Sequence, residues 1–198
     1  YAWHFAHQSR KSFEKTEKEC RYSYYVSLRL MIKQLAVQGF DLLSPDHAGT
    51  VSSYDEVSGR ALTESFKVTA SKLLRIDKPE VETDFCGHSV DIVARIGTFD
   101  IVIFICHPDR RIPFDRKELS GQRCGVLTLD LEQLPLLFDL VKEKQMTGLQ
   151  VLSHYLAEEL VGKRWFYHPR YEIEKKQAEQ RLDDRIAERH KAVNRPGM

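Results

Sequence analysis

Asp91 is the residue with the most chemistry to offer in this sequence. It stands in the run HSVDIVARIGTFDIVIFICHPDR, which begins at His88. An ionised carboxylate among apolar neighbours is costly to bury unless a cation or hydrogen-bond donors meet it. Two solutions are open. One is a divalent metal ion such as Mg²⁺, which wants several oxygen ligands, with Glu82 on the preceding strand as a second carboxylate. The other is an arginine, with Arg95 two residues along on the same side of the strand.

The run also predicts its own geometry. Gly97-Thr98 reads as a two-residue hairpin turn. Ile96 then faces Phe99, Arg95 faces Asp100, Val93 faces Val102 and Asp91 faces Phe104. Side chains alternate across a sheet. One face therefore carries Ile92, Ala94, Ile96, Phe99, Ile101, Ile103 and Ile105, and must be buried. Asp91, Val93, Arg95, Asp100, Val102, Phe104 and Cys106 share the other.

Three further groups could bind or react. His107-Pro108-Asp109-Arg110-Arg111 offers a general base and two phosphate-binding arginines, or simply a strand-ending turn. With Arg116, Lys117 and Arg123 it makes the best basic patch in the chain, a candidate DNA contact at Arg110, Arg111, Arg116 and Lys117. His4, His7 and Cys20 have residue types and a His-x2-His spacing that suit Zn²⁺. They sit beside Trp3 and Phe5, and an aromatic cluster on the core explains the histidines as well. His154 and Glu158, four apart, read as a pair on a helix surface.

The elements that must position these groups follow from periodicity. Residues 12–38 read as a helix with Tyr24, Leu28, Met31 and Leu35 on one face, ended by Gly39. FDLLS reads as a short strand. Residues 44–66 are polar and read as loop. Strands follow at VTASKLLRI, EVETDF, SVDIVARI, FDIVIFICH and GVLTLDL. EQLPLLFDLVKEKQ and GLQVLSHYLAEELVG read as helices, with RWFYHP as an aromatic tail. Residues 171–192 are mostly charged, with a thin stripe of Ala178, Leu182 and Ile186. They predict a solvated helix that docks weakly or serves a protein partner. The order gives a mixed α/β core, a hairpin-built sheet flanked by helices.

The bulk numbers narrow the class. A chain of 198 residues can hold one real core. Its net charge of +1 gives no overall pull toward nucleic acid or anionic lipid, so any polyanion site must be a local patch. No apolar run approaches the roughly 20 residues of a membrane span. Cys20, Cys86, Cys106 and Cys124 form no CxxC pair, which suits a reducing cytoplasm. The first residue is Tyr1, so the expectation is a chain lacking its N-terminal part.

HFAH from His4, Cys20 with the long helix, the strand-Asp-hairpin block and the late KRWFYHP resemble the competence protein CoiA-like family, across roughly residues 3–170. The resemblance implies a PD-(D/E)xK nuclease-like fold. It implies residues 12–170 as the nuclease-like domain, with 1–11 as the remnant of an N-terminal His/aromatic element open to Zn²⁺; residues 171–198, beyond the resemblance, read as a charged C-terminal helix. It further implies DNA processing or uptake, with an acid or His on the first helix. In such a site two carboxylates hold Mg²⁺ while a Lys or Gln places the attacking water. Asp91 matches the first acid. Phe104 and Cys106 stand where the second acid and the Lys belong, and no Lys occurs between Lys78 and Lys117. The expectation is a DNA- or partner-binding domain with degenerate catalytic positions. The alternative is an active Mg²⁺-dependent endonuclease using Asp91 and Glu82.

Overall fold

The computed structural model describes residues 13–134 and 146–193. Helix α1 spans Phe13–Gln38. Gly39 ends it at φ +78°, its N–H returning to the Ala36 carbonyl at 2.9 Å. A side chain there would be strained and would also meet the Ile76 carbonyl. Strand β1 (Phe40–Ser44) pairs antiparallel with β4 (Lys72–Ile76). Between them runs a second ribbon, β2 (His47–Asp55) and β3 (Arg60–Thr69). The main sheet has five strands in the order β5 (Glu80–Phe85), β6 (His88–Ile96), β7 (Phe99–Cys106), β8 (Cys124–Asp130) and β9 (Lys163–Tyr167). Only the β7–β8 pair is parallel. Helices α2 (Gly148–Glu158) and α3 (Tyr171–Val193) complete a mixed α/β fold.

The hairpin register agrees with the alternation in the sequence, pairing Ile96 with Phe99, Arg95 with Asp100 and Val93 with Val102. One sheet face buries Ile92, Ala94, Ile101, Ile103 and Ile105 under α1, α2 and the β1–β4 ribbon. Phe99 departs from this face. It lies at the turn, beyond the cover of the helices, and is 45% exposed. The other face packs Val102, Phe104 and Val126 beneath Phe114 and Leu119 of the β7–β8 crossover.

The buried stripe of α1 is Leu28, Ile32 and Ala36, with Tyr24, Met31 and Leu35 only partly covered. The helix is therefore rotated from the face that the sequence suggests. Thr147 and Gln150 form a capping box at the start of α2. Its far end is met by buried Lys163, whose Nζ donates to the Tyr155 and Leu156 carbonyls at 2.8 and 2.7 Å and whose pKa burial lowers to about 7.

Three expectations are corrected. Residues 44–66 are largely strand, because β2–β3 is a two-sided polar ribbon with only Val51, Phe66 and Val68 as buried apolar residues. RWFYHP supplies the edge strand β9 and is no tail. The helix in 171–192 is no weakly docked appendage. Ala178 and Leu182 are fully buried against Val51, Phe66 and Val68, with Ile186 partly buried beside them. The helix expected over EQLPLLFDLVKEKQ falls mostly outside the described residues, as does Pro135.

Charges lock α3 to the hairpin. Glu64 accepts from Arg181 and Arg185 at 3.2 and 2.9 Å, and His190 meets buried Asp55 at 2.7 Å. The hydroxyl of Ser58 and the ring of His190 hold the Asp55 carboxyl down to about 2. Because the folded value is depressed, this contribution is present above the ordinary carboxylate range and is lost as acid protonates the folded form. Melting followed against pH should show the α3–hairpin unit weakening between about pH 4 and pH 2. In Asp55→Asn that part of the pH dependence should vanish. An unaltered acid limb would show that Asp55 plays no part.

Candidate functional site

The site forms where two strands come apart. The β6–β7 ladder runs to Ile92–Ile103 and stops there. The next inward-facing donor, the Ile105 N–H, is taken by the Asp91 carboxylate at 2.8 Å instead of by backbone. Side-chain alternation also breaks here. Val90 packs with Val102 and Phe104 on one face, while Ile92, two residues on, packs on the other. Across from Asp91, between the pairs Val81–Ile92 and Thr83–Val90, Glu82 takes φ +55°. Left-handed backbone at a non-glycine residue costs energy and concentrates at functional sites. Asp91 thus lies in the fork between the strands, and the expected pairing of Asp91 with Phe104 is not made.

Asp91 is fully buried. Arg29 of α1 donates to its Oδ1 at 2.5 Å, with Lys33 Nζ at 3.9 Å from the same oxygen. Oδ2 accepts from Ile105 N–H and from Arg110 Nη1 at 2.7 Å. The same Arg110 nitrogen donates to the Ile105 carbonyl at 2.6 Å. A tight turn aims Arg110 back into the fork, with His107 and Arg110 exchanging backbone hydrogen bonds at 2.8 and 3.2 Å. Pro108 and Asp109 are the residues such a turn favours. The Arg110 guanidinium lies 3.8 Å from the Phe104 ring centroid, a cation–π contact in a desolvated place. Burial lowers the Arg110 pKa, and Asp91 opposes that shift.

Glu82 is brought to the same cluster. Lys33 pairs with it directly and so spans Glu82 and Asp91. That bond holds the Glu82 carboxyl below its ordinary value. The two carboxylates thus share a cation, and it is an ammonium. Of the two solutions open to a buried Asp91, the arginine one is realised, by Arg29 and Arg110. Arg95 is turned outward to Asp100 at 2.9 Å.

The arrangement does not fit the Mg²⁺ implied for Asp91 and Glu82. Asp91 Oδ2 and the Ile105 carbonyl are the hard oxygens that a divalent ion would use, and one Arg110 nitrogen touches both. Phe104 brings a ring, and Cys106 a thiol whose pKa burial pushes up, so it stays protonated. Among the described residues no three His, Cys, Asp or Glu side chains gather as a metal-binding group. His4 and His7, proposed with Cys20 for Zn²⁺, lie outside the described residues. Cys20 falls within α1, and its side chain is likewise not described. His154 pairs with Glu158 at 3.3 Å on the α2 surface, as its spacing indicates.

Beside the fork, at the C-terminal ends of β7 and β8, opens a cavity of about 690 Å³. Arg110, Arg111, Arg116 and Arg164 line it, against two acids, Asp130 and Glu132. Arg110 is committed to Asp91, whereas Arg111, Arg116 and Arg164 are exposed. His107 stacks on Tyr25 with ring planes 3° apart, and burial lowers its pKa, so it enters the wall as a neutral ring. Lys117 lies next to this cavity, on the wall of a second one that also includes Arg116.

Sequence reasoning missed Arg29, Lys33 and Arg164. Arg29 and Lys33 are four apart and flank the true buried stripe of α1. Once that stripe is Leu28, Ile32 and Ala36, both cations must border the sheet. No family model matches the chain, nor does any curated protein or solved structure. No helix among the described residues is long and apolar enough to cross a membrane.

Proposed function

We propose that this chain is a DNA-binding domain of CoiA-like, PD-(D/E)xK nuclease-like descent whose carboxylate site holds protein cations in place of metal. The observation that carries this reading is Asp91, fully buried and hydrogen-bonded by Arg29, Arg110 and the Ile105 N–H. Protein cations already neutralise this carboxylate, which argues against its holding a divalent metal beside a scissile phosphate. What remains chemically available is the guanidinium-lined cleft beside it, suited to phosphate by charge and by fork geometry. Non-specific phosphate binding needs little more than such a patch, even at a net charge near zero.

The test measures binding of labelled DNA over a salt series, and cleavage with Mg²⁺ or Mn²⁺. The expected result is binding that weakens steeply with salt and no cleavage. Arg111→Ala and Arg116→Ala should each weaken binding and lower the salt slope by about one unit. Cleavage that disappears in Asp91→Asn would overturn the degenerate reading and favour an endonuclease built on Asp91 and Glu82. Absence of DNA binding at low salt would overturn the reading altogether.

A further inference from the structure

Strand β9 is irregular where it borders β8. Leu127 pairs with Trp165 and Val126 with Tyr167, which leaves Phe166 as an extra residue. A β-bulge of this kind re-aims side chains, and bulges concentrate at sheet edges beside binding sites. Its effect is visible in the packing. Trp165 joins the core under the helices, while Phe166 and Tyr167, consecutive in sequence, both lie on the opposite face. Both rings are only half-buried. A regular strand would have sent one of them to each side.

The bulge joins two cavities. The arginine-lined one described above includes Phe166 and Arg116. A second, of about 420 Å³, includes the same two residues together with Tyr167, Tyr171, His47 and Lys117. Arg116 lies 5.5 Å from the Phe166 ring centroid, so a cation sits over an aromatic ring at the junction. His168, on the same wall, is lowered to about 4 by burial and stays neutral, adding a ring without a charge. Glu172 is the carboxylate on this second wall.

We propose that the two cavities form one groove for single-stranded DNA, crossing the bulged edge of β9. Phe166 and Tyr167 are the surfaces on which bases stack, and Arg116, Lys117 and Arg164 follow the phosphates. Half-buried rings interleaved with exposed cations suit unpaired bases, whose faces are free. Duplex DNA keeps its base faces stacked and offers this groove only phosphate. The inference rests on the DNA-binding reading and specifies its substrate.

The experiment compares a labelled oligothymidylate with a duplex of equal length. It uses wild type, Phe166→Leu and Tyr167→Leu, with melting curves for each protein. Leucine keeps apolar volume and removes the aromatic face. Wild type should prefer the single strand by about ten-fold, and each variant should lose about ten-fold for the single strand. Duplex affinity and the salt slope should hardly change in the variants, since no charge is removed. The wild-type preference decides the matter even if a leucine variant fails to fold. Equal affinity for duplex and single strand would overturn the groove while leaving DNA binding intact. Binding of neither DNA would overturn both.

Discussion

Asp91→Ala should lower the melting temperature by about 6–20 °C, the consequence of losing roughly 3–5 kcal/mol when a buried ion pair is broken on one side. The substitution strands Arg29 and Arg110, removes one partner of Lys33 and leaves the buried Ile105 N–H without its acceptor. Asp91→Asn keeps an oxygen for the N–H and should fall between the two. The sign is what discriminates. Carboxylates held together for catalysis usually strain the fold, and removing one tends to stabilise it. A melting temperature that stays level or rises in Asp91→Ala would mean that the cations do not own this carboxylate.

Truncation after Arg170 should have the second large effect, confined to one part of the molecule. It removes Ala178 and Leu182 and uncovers Val51, Phe66 and Val68. A two-stranded ribbon is marginal by itself in water. The amides of β2 and β3 should therefore lose protection from hydrogen exchange by about three orders of magnitude or more, the equivalent of roughly 4 kcal/mol. Those of β6, β7 and β8 should remain protected. A milder probe, Leu182→Ala, should cost about 2–5 kcal/mol of docking stability. Retained protection in β2–β3 after truncation would show that the ribbon stands without α3.

The contrast between these regions explains what the sequence reveals. Strands β6 and β7 are legible because burial under a helix demands an unbroken row of apolar residues, and Ile92 to Ile105 supply it. The β2–β3 ribbon is hidden because its strands are polar on both sides. Its few buried residues answer to Ala178 and Leu182, more than 100 positions later in the chain. Strand β9 is hidden by its bulge, which spoils the alternation that would mark it. At the site, Asp91 announces itself as a carboxylate in apolar surroundings, but its partners do not. Arg29 and Lys33 look like the solvent face of a helix until the helix is rotated onto Leu28, Ile32 and Ala36. Arg110 looks like one more residue of a basic loop, and only the turn at Pro108-Asp109 brings it to the fork.

Asp91 meets Arg29 across 62 positions of sequence and Arg110 across 19, and the Glu82 that shares Lys33 is 49 from it. The cluster therefore belongs to no motif that could be cut out. A peptide carrying the hairpin has the carboxylate without the helix that neutralises it. A segment from Arg29 to Arg110 has every charge, but it lacks β8 and α2, which wall the core beneath. Transplanting this arrangement to another scaffold would mean moving nearly the whole fold, so the unit available to a protein engineer, or to recombination between genes, is the domain itself.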